Sequence, residues 1–134
     1  MSTIRNCTPH DIVILDPECA EFDPRSRKYV LVGEMKVINV YPENKEMPVP
    51  RVDTEDVDLG LNDDGTPIVG TRYLDSANLP PREENVKNVV SAQTLLAAKA
   101  IGRDDFLVPT RVVYDMSGPR PVVVGCLSLG PALV

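Results

Sequence analysis

Few side chains in this sequence could do chemistry, and the arginines are the most promising of them. His10 is the only histidine. A zinc site built on it would need cysteines or carboxylates close by. Cys7 is near, but no second pair follows and no CxxC occurs. Asn6, Thr8 and His10 are read instead as groups that satisfy the backbone at the mouth of the first strand. Ser91, Ser117 and Ser128 have no sequence-level base, and there is no GxSxG, P-loop, GxGxxG or HExxH. Asp56 and Asp58 share a strand face, where a solvated pair is the common outcome and a metal site the rarer one. With one histidine, acid–base work would fall to carboxylates, and nothing marks a catalytic pair. The expectation is a protein that is not an enzyme and needs no cofactor or metal.

Nine of the 14 basic residues are arginine. The planar guanidinium suits phosphate and carboxylate, so this bias leans toward anion recognition. Arg103 lies in the run Gly102-Arg103-Asp104-Asp105-Phe106-Leu107-Val108-Pro109, and Arg111 follows it. One reading is structural: Arg103 stabilises the end of a helix and an aspartate starts a turn. The functional reading sets Arg103 and Arg111 on one rim facing an anionic ligand. Each charge-assisted hydrogen bond made there is worth about 1.5–3 kcal/mol. Arg25 and Arg27, from a basic cluster that includes Lys28, complete the candidate ligand-binding set with Ser91 and Thr110.

The whole composition constrains the partners. The chain has 134 residues, which fits a single domain over 1–134, and a net charge of −6. Long nucleic acid is an unsuitable partner, since polymer binding needs a broad basic footprint. Small anions stay open, because a few local arginines override the global charge. The three cysteines are an odd count, which argues against a disulfide framework and for a reducing compartment. The opening Met1–Cys7 does not read as a signal peptide, and no apolar run reaches the roughly 20 residues of a membrane span. The expected location is the cytoplasm, a host's if the chain is phage-encoded.

The elements that must position these groups are mostly strands. His10–Leu15, Tyr29–Val32, Lys36–Tyr41 and Val52–Leu61 are β-prone, and Val122-Val123-Val124 should supply core. Glu18–Arg27 reads as a polar loop with a turn at Asp23-Pro24. Asn62-Asp63-Asp64-Gly65 predicts a hairpin returning over Thr66–Tyr73. Asn88–Val90 is a short strand. Ser91 is a fair N-cap for a helix over 92–101, with Ala92, Leu95, Leu96 and Ala100 on one stripe and Gly102 as its stop. Pro109 limits Phe106–Val108 to a short run. Arg111–Tyr114 and Pro121–Leu129 form a last hairpin. The sum is α+β: a mostly antiparallel β-sheet with one main helix.

Two stretches resemble a family. Asn6-Cys7-Thr8-Pro9-His10-Asp11-Ile12-Val13 is similar to the Asn-Leu-Thr-Pro-His opening of many small phage and prophage proteins. Val90-Ser91-Ala92, Gly102-Arg103-Asp104-Asp105, Leu107-Val108-Pro109 and Gly125-Cys126 resemble their C-terminal half. Cys7 stands where that opening has Leu, and Glu18–Tyr41 is longer than the usual linker. The resemblance points to the first-described phage Thoeris anti-defence sponges. It implies a non-enzymatic role: sequestering cyclic ADP-ribose-type or cyclic oligonucleotide signals within an oligomer.

Elementary energetics permit that role. Nanomolar capture needs about −12 kcal/mol, which a ligand of about 40 heavy atoms reaches at about −0.3 kcal/mol per atom if nearly enclosed. A chain this small cannot easily surround such a ligand, so the expected partner is a second copy in a homo-oligomer, with arginines of different chains meeting the phosphates. The alternatives are a phage assembly protein whose oligomer is the function itself, and, more weakly, a nucleotide hydrolase.

Overall fold

The computed structural model describes residues 3–131, without the side chains of Tyr73, Asp75, Ser76 and Ala77. The elements run β1 Thr3–Asn6, β2 Ile12–Leu15, β3 Ala20–Asp23, β4 Lys28–Leu31, β5 Val37–Tyr41, β6 Arg51–Leu61, β7 Pro67–Ala77, β8 Val86–Val89, α1 Ala92–Ala100, β9 Phe106–Asp115 and β10 Val122–Gly130. The α+β class is as expected and most strand pairing is antiparallel, but the sheet is mixed, not purely antiparallel. β1–β8, β8–β9, β4–β9 and β2–β10 are parallel pairs. The cause lies in sequence distance: Thr3 pairs with Val86 and Ile14 with Cys126. Turn chemistry announces hairpins between neighbours and says nothing of parallel partners brought together from opposite ends of a chain.

The main sheet follows the order β1-β8-β9-β10-β2-β5, with β4 beside β9 and β3 on β4. Its two outer strands meet. Asn6 on β1 donates from Nδ2 to the Tyr41 carbonyl of β5 and to the His10 carbonyl, both at 2.9 Å. Its Oδ1 accepts from the Thr8 N–H and the Thr8 hydroxyl. Asn6, Thr8 and the His10 backbone therefore do satisfy the strand mouth, through buried side chains whose groups would otherwise be unpaired.

β9 organises the fold because it is long. Its first residues pair with β8 through Phe106 and Leu107, and its later ones with β4 through Val113 and Tyr114. Pro109 does not cut it short. Pro109 falls between the stretches that pair with β8 and with β4, where a missing N–H costs that edge no ladder bond. β3 and β1 were not expected. The polar run Glu18–Arg27 holds a 3₁₀ turn at Pro17–Cys19 and then a strand paired with β4.

The core is aliphatic and lies in three clusters. Ile12, Val89 and Cys126 pack with Ile4, Ile14, Tyr41, Leu107 and Leu129. Leu15, Cys19 and Val113 pack with Val13, Tyr29, Leu31, Val124 and Leu127. α1 closes the third, Leu95 and Ala98 against Cys7, Val90 and Phe106. Val122 and Val123 are exposed, contrary to expectation: they pair with Asp115 and Tyr114 at the turn end of β10. The helix also turns a different face inward. Thr94, Leu95, Ala97 and Ala98 are buried, whereas Leu96 is exposed. A helix that is apolar nearly all round gives its periodicity no direction. Ser91 caps it as expected, accepting from the Thr94 N–H, and Gly102 follows its end with φ +85°.

β2 crosses β10 closely at Gly125. A Cβ there would lie 2.8 Å from the Val13 carbonyl oxygen and 3.0 Å from Leu15 Cγ. Because one obstacle is backbone, it cannot move aside. Gly125→Ala is expected to lower stability by about 2 kcal/mol, read by urea denaturation at unchanged m-value.

β6 and β7 form a sheet of their own, an arm about 35 Å long at the usual rise per residue. The expected turn closes it: the Gly65 N–H donates to the Asn62 carbonyl, and Gly65 has φ +88°.

Candidate functional site

Arg103 is committed to the fold. Its guanidinium grips Asp105 twice, at 2.8 and 2.7 Å, lies over the Phe106 ring, and donates to the Pro80 carbonyl. Asp105 also accepts from Nδ2 of the fully buried Asn88, whose Oδ1 accepts from Arg5 Nε at 2.8 Å. Arg5 reaches on to the Pro81 carbonyl and to Glu83. Arg82 pairs with Asp104. A polar chain thus runs Arg5–Asn88–Asp105–Arg103 through the protein and fastens the Pro80–Pro81 segment, which leads out of the arm. The Arg103 side chain holds the Asp105 carboxyl below its ordinary value, and its bonds to Asp105 raise the pKa of Arg103 in turn. This is a structural network: among the described residues no buried side-chain nitrogen or oxygen lacks a hydrogen-bond partner.

Other arginines face outward, among them Arg25, Arg27 and Arg111. Tyr29 pairs with Val113 and Val30 with Tyr114 in parallel. Arg27 closes the β3–β4 turn just before this pairing, its N–H donating to the Asp23 carbonyl, and Arg111 stands two residues before Val113 on β9. Lys28 sits over the Tyr114 ring, 5.0 Å from its centre. Arg25 lies in the same β3–β4 turn, where Asp23 orders the backbone by accepting from the Arg25 N–H and the Ser26 hydroxyl. Among the described residues no carboxylate forms an ion pair with Arg25, Arg27, Lys28 or Arg111. Arg27 and Arg111 both have left-handed backbone, at φ 59° and 49°. Such geometry costs a non-glycine residue on the order of 1 kcal/mol or more; at Arg27 the β3–β4 turn imposes it through that same bond to Asp23.

Tyr114 belongs also to a groove of about 670 Å³. Ile12, Val13, Pro109, Val112 and Val123 give it an apolar floor, and His10 and Asp11 stand at one side. The volume is in the range that holds a small organic ligand. The arrangement can do two things: cover an apolar or aromatic ring and hold an anion beside it. It presents no nucleophile with a base. Cys126 touches the groove, but burial raises its thiol pKa, which keeps it protonated and inert.

Of the residues proposed from sequence, Arg25 and Arg27 lie in the β3–β4 turn and Arg111 midway along β9, and none of the three lines the groove. Arg103 precedes β9, and the run from Phe106 to Arg111 puts about 17 Å of strand between it and Arg111. Ser91 is spent on the helix start, bonding Thr94 through both backbone and hydroxyl. The Thr110 hydroxyl lies 2.6 Å from that of Ser128. Lys28 and Tyr114 were missed as site residues, since the parallel β4–β9 pairing that joins them leaves no mark in the sequence. Among the described residues no three His, Cys, Asp or Glu side chains converge as a metal site, and no helix is long and apolar enough to cross a membrane.

The comparisons with known proteins find no matching family model, no matching curated protein and no matching solved structure.

Proposed function

We propose that this protein captures a small phosphorylated signal and holds it without cleaving it, the role its resemblance to the phage Thoeris anti-defence sponges implies. The ligand class is a cyclic ADP-ribose-type molecule or a cyclic oligonucleotide. One observation carries the reading. Lys28 lies over Tyr114 at one end of an apolar groove, and the exposed Arg25 and Arg27 of the β3–β4 turn and Arg111 of β9 stand next in sequence to the strands that make this β4–β9 pairing. The groove's floor suits a nucleobase, and the guanidinium groups suit phosphate.

The groove is open on one side, whereas tight ligands have 70–90% or more of their surface covered. The remaining cover comes from another copy of the chain, so capture and oligomerisation go together. A second reading, an assembly protein whose oligomer is the whole function, is favoured by the long β6–β7 arm.

Incubation with cyclic ADP-ribose, followed by heat denaturation and chromatography, separates the readings. The expected result is that the nucleotide disappears from solution and returns unchanged on heating. A nucleotide that returns hydrolysed makes the protein an enzyme. One that is never depleted, with cyclic dinucleotides and trinucleotides behaving alike, leaves the assembly reading.

A further inference from the structure

The arm has two unlike faces. The pairs Glu55–Arg72 and Val57–Gly70 fix the register, and Asp56–Thr71 and Asp58–Val69 alternate with them. Val57, Leu59, Ile68 and Leu74 therefore share one face, and Asp56 and Asp58 take the other together with the exposed Val69 and Leu61. Leu59 lies over Gly70: a Cβ there would be 3.3 Å from Leu59 Cδ1. Leu59 is 64% exposed, Ile68 44% and Leu74 42%. A two-stranded hairpin is marginally stable in water by itself, and apolar side chains standing in a row on it call for cover.

Charge decides what can cover them. Residues 51–77 hold seven acidic side chains against two basic ones, a net −5 out of the chain's −6. A second copy approaching the aspartate face would meet strong like charge. The apolar face is different. Its charged residues Glu55 and Arg72 neutralise each other at 2.7 Å, and toward the root Asp53 is paired with Arg51. We infer that the apolar face of the arm docks against the same face of a second copy of this chain, leaving both aspartate faces in water. Each copy then presents the same neutral patch to the other, as a two-fold contact requires. A face about 35 Å long and about 10 Å wide buries about 700 Å² in all, below the size of standard stable interfaces, so the contact is concentration-dependent.

This inference does not depend on the ligand. Sedimentation equilibrium of four variants tests it. Glu55→Arg makes the face doubly positive and Arg72→Glu makes it doubly negative; each alone is expected to sediment as a lighter species than wild type at equal concentration. Their one-to-one mixture is expected to recover the wild-type mass, because the opposite faces attract. Leu59→Glu, at a site too exposed to disturb the core, is expected to dissociate as well, and Asp56→Asn on the other face to leave association intact. The inference is overturned if Glu55→Arg, Arg72→Glu and Leu59→Glu all keep the wild-type mass, if the charge mixture stays light, or if wild type is itself monomeric. The first two outcomes leave the sponge reading standing with another interface; a monomeric wild type ends both.

Discussion

Asp105→Ala is expected to lower the melting temperature by about 10 °C. The aspartate is buried and accepts from Arg103 twice and from Asn88 once. Removing it strands a half-buried guanidinium and a fully buried amide. Breaking such a pair costs about 3 kcal/mol, and in a chain of this length each kcal/mol moves the midpoint by roughly 3–4 °C. Arg103→Ala should cost a comparable amount, and the double variant little more than either, since each single change already breaks the same contact. Differential scanning calorimetry measures all three. If the Asp105→Ala midpoint falls by only a degree or two, the network is decorative.

The same residue sets a pH dependence. In the folded chain the Asp105 carboxyl lies below its ordinary 3.8, chiefly through the Arg103 hydrogen bonds. Folding therefore gains from this group at pH values above 3.8, and the gain disappears as pH falls through the lower folded value. The acid limb of wild-type stability should be steeper than that of Asp105→Ala.

The second large effect is on binding. Arg27→Gly combined with Arg111→Gly is expected to weaken capture of cyclic ADP-ribose at least about 100-fold, since each lost charge-assisted bond is worth about 1.5–3 kcal/mol. Glycine is the informative replacement. Both positions have left-handed backbone, φ 59° and 49°, where glycine is at ease and arginine is not. The double variant should thus fold with a melting temperature no lower than wild type while losing ligand. Isothermal titration calorimetry beside a thermal melt separates the two effects. Undiminished capture would remove Arg27 and Arg111 from the site.

The legible parts of this protein were those written locally. The Asp64-Gly65 turn, the Ser91 cap, the Gly102 stop and the Asn6–His10 knot depend on residues a few positions apart. The rest depends on distance along the chain. β1 beside β8 and β4 beside β9 join segments more than 80 residues apart, and only that pairing reveals Lys28 and Tyr114 as neighbours. Arg103 shows the same limit from the other side. Its sequence setting marks an anion partner, and the anion is Asp105, two residues on. A short motif names the charge a guanidinium wants without saying whether the chain itself supplies it.

Native mass spectrometry of the protein mixed with cyclic ADP-ribose is the most direct test of a self-assembled capture protein. An ion containing two or more chains, heavier by an integral number of intact nucleotides, is the expected spectrum. Single chains without adduct, or an adduct whose mass has gained a water, would contradict it.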